Sequence, residues 1–443
     1  MAEVDSLAPV ASIVDLLLGV VALLLVSKAG NKATGDKIAG YLIGWILVFK
    51  GFHYLLVSVL EFQAGSATVF GNIDMSELRE GFLTYALRMF QITSLVLICF
   101  LPLVFPFRVL PKAWDEKVIL ASITLLCLVL CVVHLITDFD YMFVENVLIV
   151  PGYLVLISIY LRFLMSELQT GQQVYRKASV ASGLILMAIY GEPMTYWLSQ
   201  VVAINDDFSQ RLAIEFGLFP SGLSWFGLMT GLTVGAISIC TLCAGEAVRS
   251  FKLGMTPFSV LVFLIFVVGL IAGIADLAVL DIVRSCFEAV CQPFPSAYNI
   301  WYDFTSESLV YLYTPILFMY VLLNYDIIDT QSGENRWMIR IIVILLLLIV
   351  SSTVLELIQS FLPIPEMISS AALAIIVAIF IGWEEKIVTW LITGSESVSA
   401  NVPIAQLQGE EVSSTVEAKV FHLSLGGILI FIVVVSLLLG GLS

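Results

Sequence analysis

The sequence predicts an all-α fold, a polytopic transmembrane helical bundle of about twelve spans with an extracytoplasmic N-terminus. Composition is the first observation, because 60% of the residues are hydrophobic and only 12% are charged, whereas soluble domains carry about 25% charged residues. So little charge cannot cover a surface that faces water. We therefore expect a multi-pass protein of the cell membrane, with the lipid bilayer as the partner of most side chains.

Apolar runs are the second observation, because about 20 apolar residues cross a hydrocarbon core. Such runs occupy residues 9–27, 38–60, 83–105, 118–137, 147–165, 178–203, 216–246, 257–281, 308–324, 338–361, 367–382 and 421–441. The eleventh run is the shortest, and it is either re-entrant or lengthened through Trp383. We expect residues 1–392 to form a bundle of about eleven spans, residues 393–420 a polar cytoplasmic connector, and residues 421–443 a C-terminal transmembrane helix.

The placement of lysine and arginine is the third observation, because cytoplasmic loops retain positive charge near span ends. Fifteen of the twenty basic residues fall in alternate loops, at Lys28, Lys32, Lys37, Arg108, Lys112, Lys117, Arg162, Arg176, Lys177, Arg249, Lys252, Arg336, Arg340, Lys386 and Lys419. The intervening segments hold only Arg79, Arg88, Arg211 and Arg284, while Lys50 lies within a span. This alternation predicts that the first loop is cytoplasmic and that both termini are extracytoplasmic.

Several function classes are disfavoured by the sequence. The net charge of -15 argues against nucleic acid as a partner. No predicted connection exceeds about 40 residues, which leaves no room for a catalytic domain outside the bilayer. His53, His134 and His422 lie in separate segments and form no metal-binding motif. We therefore expect no enzymatic activity, no cofactor and no metal site.

Two ionisable residues lie near the middle of predicted spans. Lys50 is about twelve residues from the cytoplasmic end of its span, and Glu192 is about fourteen from that of its own. An ionisable side chain in hydrocarbon costs about 3 kcal/mol, so it normally faces a partner or a wet cavity. Lys50 and Glu192 are candidates for a buried ion pair. His53, one turn beyond Lys50, either extends a proton relay or packs as a hydrogen-bonded histidine.

A helix break is predicted beside Glu192, at Gly191 and Pro193. Proline has no N–H to donate and its ring clashes with the preceding turn. Broken helices at mid-membrane build ion and substrate sites in many transporters. The alternative is a plain proline kink, with the carboxyl group neutralised by a proton or by Lys50. Asp276 is a further intramembrane candidate for the same polar site.

Glycines and cysteines mark two more features. Gly227, Gly231 and Gly235 recur every four residues, which predicts a smooth helix face for close packing or, alternatively, for sliding. Cys286 and Cys291 fall in a predicted extracytoplasmic loop, where oxidising conditions would permit a disulfide. Whether these two thiols are bonded or free stays open.

One segment carries a family resemblance. Residues 313–320 read YTPILFMY, and residues 324–329 read NYDIID, so a span ends in an aromatic, aliphatic and aspartate cluster. With the apolar runs that follow, residues 308–392 resemble the last part of the multi-span membrane region of prokaryotic sensor histidine kinases. Neither a phosphorylatable histidine region nor an ATP-binding domain follows Trp390. The resemblance implies a sensor-like membrane module that signals through a separate cytoplasmic subunit.

Two functions remain open at this stage. The first is a non-enzymatic membrane protein, either sensor-like or a subunit of a membrane complex, as the resemblance implies. The second is a secondary transporter or ion-coupled permease with a mid-membrane site near Glu192, as the predicted helix break and the possible Lys50 pair suggest.

Overall fold

The computed structural model describes most of the chain as helix. The described residues are 7–29, 34–70, 82–110, 114–137, 141–199, 222–288, 293–305, 309–325, 327–330, 335–361, 383, 386–389 and 418–440. Within these ranges no residue belongs to a β-strand. The predicted all-helical fold class is therefore confirmed for the part of the chain that is described.

The helices follow the predicted apolar runs. In chain order they are α1 Leu7–Lys28, α2 Thr34–Phe70, α3 Phe82–Val104, α4 Glu116–Thr137, α5 Tyr141–Thr170, α6 Gln173–Thr195, α7 Gly222–Leu253, α8 Pro257–Glu288, α9 Ser296–Asp303, α10 Leu309–Asn324, α11 Arg336–Phe361 and α12 Ala418–Gly440. The shortest of these, α9, falls in a segment for which the sequence predicted no helix.

Eight segments of the described residues are long and apolar enough to cross a membrane. They are Leu7–Lys28, Gly35–Val59, Tyr85–Val104, Glu116–Ile136, Val150–Thr170, Thr233–Leu253, Pro257–Val279 and Arg336–Ile358. Tyr311–Asn324 and Leu425–Val435 are shorter apolar helices, and the predicted span 367–382 lies outside the described residues. The chain is thus a helical membrane protein, while the total of about twelve spans and the orientation remain predictions.

Helix α1 has an apolar side that the described residues of the protein leave uncovered. Ile13, Leu17, Val20 and Leu24 are exposed and recur at the helical period, while Leu18 and Leu25 on the opposite side are buried. A soluble protein rarely leaves a continuous apolar stripe in water. These exposed side chains therefore face the acyl chains of the bilayer.

The chain divides into two compact units. The first unit comprises Met1–Phe139, Phe318–Leu355 and Glu366–Ser443, and the second comprises Asp140–Leu317 and Glu356–Pro365. In the first unit α2 packs along α1 and α3, and α12 packs on α3 and α4. In the second unit α5, α6 and α7 pack on one another, and α8 packs on α6 and α7.

Glycines let α1 and α2 approach each other closely in the first unit. A Cβ atom added to Gly19 would lie 2.8 Å from the carbonyl oxygen of Gly44, and one added to Gly51 would lie 2.8 Å from Cγ of Leu16. The hydroxyl of Ser12 donates a hydrogen bond across the same contact, to the carbonyl oxygen of Gly51 at 3.0 Å. Small residues at helix contacts allow this backbone approach in membranes.

In the second unit, two helices end at a glycine in the left-handed region. Gly171 follows α5 with φ of 71°, and its N–H donates to the carbonyl oxygen of Glu167 at 2.7 Å. Gly254 follows α7 with φ of 93°, and its N–H donates to the carbonyl oxygen of Ser250 at 3.1 Å. Glycine adopts this conformation without steric cost, so both helices end sharply. The two turns place the last turns of α5 and α7 beside the first turns of α6 and α8.

Candidate functional site

Three charged side chains are buried together in the second unit. Arg249 and Glu246 lie on α7, and Glu167 lies on α5. The side chains of Arg249 and Glu246 are 0% exposed, and that of Glu167 is 1% exposed. Burial of charge is costly unless each group is paired and hydrogen-bonded, so the partners of these groups decide whether the arrangement is stable.

Arg249 satisfies both carboxylates at once. Its Nε donates to Oε2 of Glu167 at 2.9 Å, and its Nη1 donates to Oε1 of Glu246. Its Nη2 donates to the hydroxyl oxygen of Ser179 on α6. The planar guanidinium can hold three partners in fixed directions, which the single ammonium of a lysine cannot reproduce.

The two carboxylates have further donors. The hydroxyl of Tyr160 donates to Oε1 of Glu246 at 2.9 Å, and the hydroxyl of Ser259 donates to Oε2 at 2.6 Å. Arg176 donates from Nε to Oε1 of Glu167 at 2.6 Å. The Arg176 side chain is 34% exposed, so it is the member of the group that reaches the surface. All four carboxylate oxygens thus accept at least one hydrogen bond.

We call this group the charge lock, and define it by its residues: Glu167, Glu246, Arg176 and Arg249, with the hydroxyl groups of Tyr160, Ser179 and Ser259. Its two acidic and two basic side chains balance in formal charge, so the group as a whole is neutral. Each member is committed to another member by the hydrogen bonds above. The charge lock therefore ties the ends of α5, α6, α7 and α8 together and keeps no oxygen free for a ligand.

The backbone explains why Ser259 points into the charge lock. Thr256 and Ser259 form a reciprocal cap at the start of α8, in which the N–H of Ser259 donates to the hydroxyl of Thr256 at 3.1 Å. The N–H of Thr256 lies 3.3 Å from the hydroxyl oxygen of Ser259. Capping of this kind stabilises the first turn of a helix. The hydroxyl of Ser259 is thereby held where it donates to Glu246.

Sequence reasoning did not find the charge lock. In the sequence Arg176 and Arg249 indicate only the orientation of the spans, and no motif surrounds Glu167 or Glu246. A signal was available, because each glutamate stands near the end of an apolar run, where a carboxyl group is costly without a cation. These glutamates stand at the ends of the fifth and seventh predicted runs, each near an arginine in the sequence, and only the structure shows that they share Arg249.

The helix break predicted near Glu192 has a counterpart in α6. Tyr190 has φ of -111° and ψ of 20°, outside the helical region, so α6 bends there. Pro193, three residues later, lacks the N–H that would donate to the carbonyl oxygen four residues before it, and its ring crowds that carbonyl. The bend therefore lies one residue before Gly191. The side chain of Glu192 lies outside the described part of the structure.

Residues of α10 fill the inner side of this bend. A Cβ atom on Gly191 would clash with the ring of Tyr313. The hydroxyl of Thr195 donates a hydrogen bond to the carbonyl oxygen of Gly191 at 2.8 Å. The same hydroxyl oxygen lies 2.6 Å from the hydroxyl oxygen of Tyr313. Because the Thr195 proton is already donated to Gly191, Tyr313 is the donor in this second contact. Thr314 donates to the carbonyl oxygen of Ala188 at 3.3 Å. The bend is thus packed and hydrogen-bonded.

Lys50 acts electrostatically on Asp15 in the first unit. Asp15, on α1, is 0% exposed, and the charge of Lys50 acts on its carboxyl group. The ammonium of Lys50 also lies 5.4 Å from the ring centroid of Tyr54. His53 lies on α2 as well, with Nδ1 3.5 Å from the carbonyl oxygen of Leu87. The predicted pair of Lys50 with Glu192 remains a prediction, because the Glu192 side chain is not described.

Asp276 has a partner that the sequence did not indicate. The hydroxyl of Tyr298, on α9, donates to Oδ1 of Asp276 on α8 at 3.0 Å. Burial and the nearby Asp276 carboxylate raise the pKa of the Tyr298 hydroxyl, so Tyr298 keeps its proton and acts as the donor. Asp276 therefore anchors α9, while Lys50 and His53 lie in the other unit.

The predicted glycine and cysteine features are placed in part. Gly227, Gly231 and Gly235 all lie in α7, and a Cβ atom on Gly235 would clash with Pro193 of α6. Cys286 and Cys291 lie outside the described side chains, so their predicted disulfide stays a prediction. Among the residues that the structure describes, no group of three or more His, Cys, Asp or Glu side chains could hold a metal ion.

Comparison with protein-family models, with curated proteins and with solved structures gives no match to this chain. The resemblance of residues 308–392 to the membrane region of sensor histidine kinases therefore remains a prediction from the sequence.

Proposed function

We propose that the protein is a non-enzymatic membrane component, sensor-like or a subunit of a membrane complex, whose second unit is held in one state by the charge lock. The single observation that carries this proposal is the complete burial of Arg249 between Glu167 and Glu246. A group whose members all satisfy one another binds nothing more. Its effect is to hold four helix ends together.

The charge lock would allow the ends of α5, α6, α7 and α8 to adopt two discrete arrangements, one joined and one separated. Short ionic hydrogen bonds in a low-dielectric interior lose most of their energy when the geometry is lost, so the helix ends are either joined or separated. Signalling proteins use elements with two discrete arrangements of this kind. Arg176 offers the route of control, because it is partly exposed and contacts Glu167 directly.

The distribution of basic residues puts this end of the second unit at the cytoplasmic face. An acidic group of a cytoplasmic partner subunit would compete with Glu167 for Arg176. Loss of that contact leaves Glu167 with a single cation and weakens the charge lock. The proposed partner is therefore a separate cytoplasmic protein with an acidic docking surface.

The test measures whether the charge lock holds the helix ends together. Spin labels on cysteines introduced at the exposed residues Thr170 and Lys252 report the distance between the ends of α5 and α7, in a background whose seven native cysteines are replaced. We expect one distance population in the parent protein and a second, longer population in Glu246→Gln. Lys177→Gln, which alters a neighbouring cation outside the charge lock, is the control. A single unchanged distance in Glu246→Gln would refute the role of the charge lock.

A second candidate function is that of an ion-coupled permease, and the bend of α6 at Tyr190 favours it. Bent or broken helices at mid-membrane provide carbonyl groups and helix ends for ion and substrate sites. The proposed site near Glu192 would then lie beside the bend. Reconstituted vesicles should show proton flux or substrate uptake that Glu192→Gln abolishes, and unchanged flux in that variant would remove Glu192 from the proposal.

A further inference from the structure

Asp15 is the most isolated carboxyl group among the described residues of the first unit. It is the ninth residue of α1, so it lies about 12 Å along the helix from Leu7 and about 20 Å from Lys28. The side chain is 0% exposed, and neither carboxylate oxygen has a hydrogen-bond donor in the described part of the chain. A carboxylate in such a place lacks the donors that normally stabilise its negative charge.

Neighbouring polar groups are committed elsewhere. Ser12, one turn before Asp15, donates its hydroxyl to the carbonyl oxygen of Gly51. On the facing stretch of α2, residues 42–58, the ionisable side chains are Lys50, His53 and Tyr54. Lys50 is the one whose charge acts on Asp15, and His53 donates toward Leu87 of α3. The described residues therefore give the Asp15 carboxyl group one nearby cation and no hydrogen-bond donor.

We infer that Asp15, fully buried without a hydrogen-bond donor among the described residues and near enough to Lys50 to feel its charge, is an intramembrane proton-binding site. The step is a simple one, in which one proton forms one O–H bond on the Asp15 carboxylate and no electron moves. The pair then changes from a formal charge of zero to plus one. The inference deepens the second candidate function, on which its purpose rests, because a permease that couples to protons needs a group of this kind.

A metal cation fits the same place poorly. Hard cations bind six or more oxygen ligands at short distances, and the positive charge of Lys50 repels a second cation. Close packing of Gly19 against Gly44 and of Gly51 against Leu16 also leaves little room. A proton needs only one carboxylate oxygen and no added volume.

The first test uses the hydrophobic reagent N,N′-dicyclohexylcarbodiimide on the full-length protein in lipid vesicles. The O–H of a protonated carboxyl group adds across one C=N bond of the reagent, so the proton moves to a nitrogen and the carboxyl oxygen bonds to the central carbon. The acyl group then migrates from that oxygen to the nitrogen, which gives an N-acylurea with no leaving group. Peptide mass spectrometry then locates the added mass. We expect labelling of Asp15 that falls by about tenfold per pH unit on the alkaline limb.

Variants make this labelling test specific. Asp15→Asn should lose the label, and Asp115→Asn, at a carboxyl group outside the predicted spans, should keep it. Lys50→Met should keep the label but change its pH profile, because the ammonium charge no longer acts on Asp15. Labelling of Asp15 that does not depend on pH would overturn the inference, since no proton would then be exchanged.

Infrared spectroscopy tests the inference even if the reagent fails to reach the buried Asp15 carboxyl group. The carboxylic-acid carbonyl stretch of the parent protein should lose one component in Asp15→Asn, and that component should vanish at alkaline pH. Absence of both the label and this component would overturn the inference, because Asp15 would then be a permanent anion paired with Lys50.

Proton flux is measured separately. A titrating Asp15 without flux refutes the permease alone, whereas flux that survives in Asp15→Asn refutes the coupling of Asp15 to transport.

Discussion

Arg249 donates from Nε to Oε2 of Glu167 across 2.9 Å, although 82 residues of sequence separate them and neither side chain is more than 1% exposed. This contact joins α7 to α5 and depends on a guanidinium that serves two carboxylates. Removal of one partner from a buried charge pair leaves the other charge uncompensated, which costs far more than the pair contributes. The charge lock therefore makes the clearest quantitative predictions for this protein.

Replacement of Arg249 by methionine should destabilise the protein by about 3–5 kcal/mol, because Glu167 and Glu246 lose their shared cation. Arg249→Lys should destabilise the protein less than Arg249→Met does, because it keeps a positive charge. It should not restore the full stability, since an ammonium cannot hold three partners in the same plane. The measurement is thermal unfolding in detergent. Lys252→Met, at an exposed position in the last turn of α7, is the control and should change stability by less than about 0.5 kcal/mol.

The two members of the central contact should behave as a coupled pair. Glu167→Gln and Arg249→Met are each expected to destabilise, but the double variant should be less damaged than the sum of the two by about 1–3 kcal/mol. The double variant no longer carries an uncompensated charge at this contact. A strictly additive pair would show that Arg249 and Glu167 do not interact in the membrane.

Loss of the Tyr160 hydroxyl tests the hydrogen bonds that surround Glu246 in the charge lock. Tyr160→Phe removes the donor to Oε1 of Glu246 and should cost about 1.5–3 kcal/mol, the range for a hydrogen bond to a charged group. Tyr175→Phe removes a hydroxyl from a half-buried ring outside the charge lock and should have a small effect. Equal effects of the two substitutions on the unfolding temperature would contradict this account.

The glycine contact between α1 and α2 should not tolerate a methyl group. Gly19→Ala places Cβ 2.8 Å from the carbonyl oxygen of Gly44, so the helices must separate, at a cost of about 1–3 kcal/mol. Gly427→Ala is the matched control, because a Cβ atom there meets nothing within 4 Å. Alanine is the better helix former, so Gly427→Ala should be neutral or slightly stabilising. Both variants are compared by unfolding in detergent.

Packing at the bend of α6 depends on one hydroxyl group. Thr195→Val removes the acceptor of the Tyr313 hydroxyl and the donor to the Gly191 carbonyl, and should cost about 1–3 kcal/mol. Thr195→Ser keeps both contacts and should cost less. If the two substitutions shift the unfolding temperature equally, the hydroxyl contributes nothing at the bend.

The all-helical membrane fold was predictable because apolar content is a local property of the chain. A run of about 20 apolar residues satisfies its backbone only as a helix in lipid, whatever its neighbours are. Orientation is predicted from equally local information, the positions of Lys and Arg near the span ends. The bend of α6 also follows locally, since Pro193 removes a donor in any surroundings.

Partner choice was not predictable in the same way. Arg176 and Arg249 read in the sequence as loop cations, because the position of a residue along a helix does not say which neighbouring helix its side chain contacts. Packing places Glu167 and Glu246 around Arg249 and Tyr298 on Asp276, and it brings Asp15 within reach of the charge of Lys50. Hydrophobicity is summed along the chain, whereas ionic pairing depends on distances of a few ångströms between helices. The sequence by itself thus determined that the chain is a helical membrane protein, and only the tertiary structure decided which charges meet.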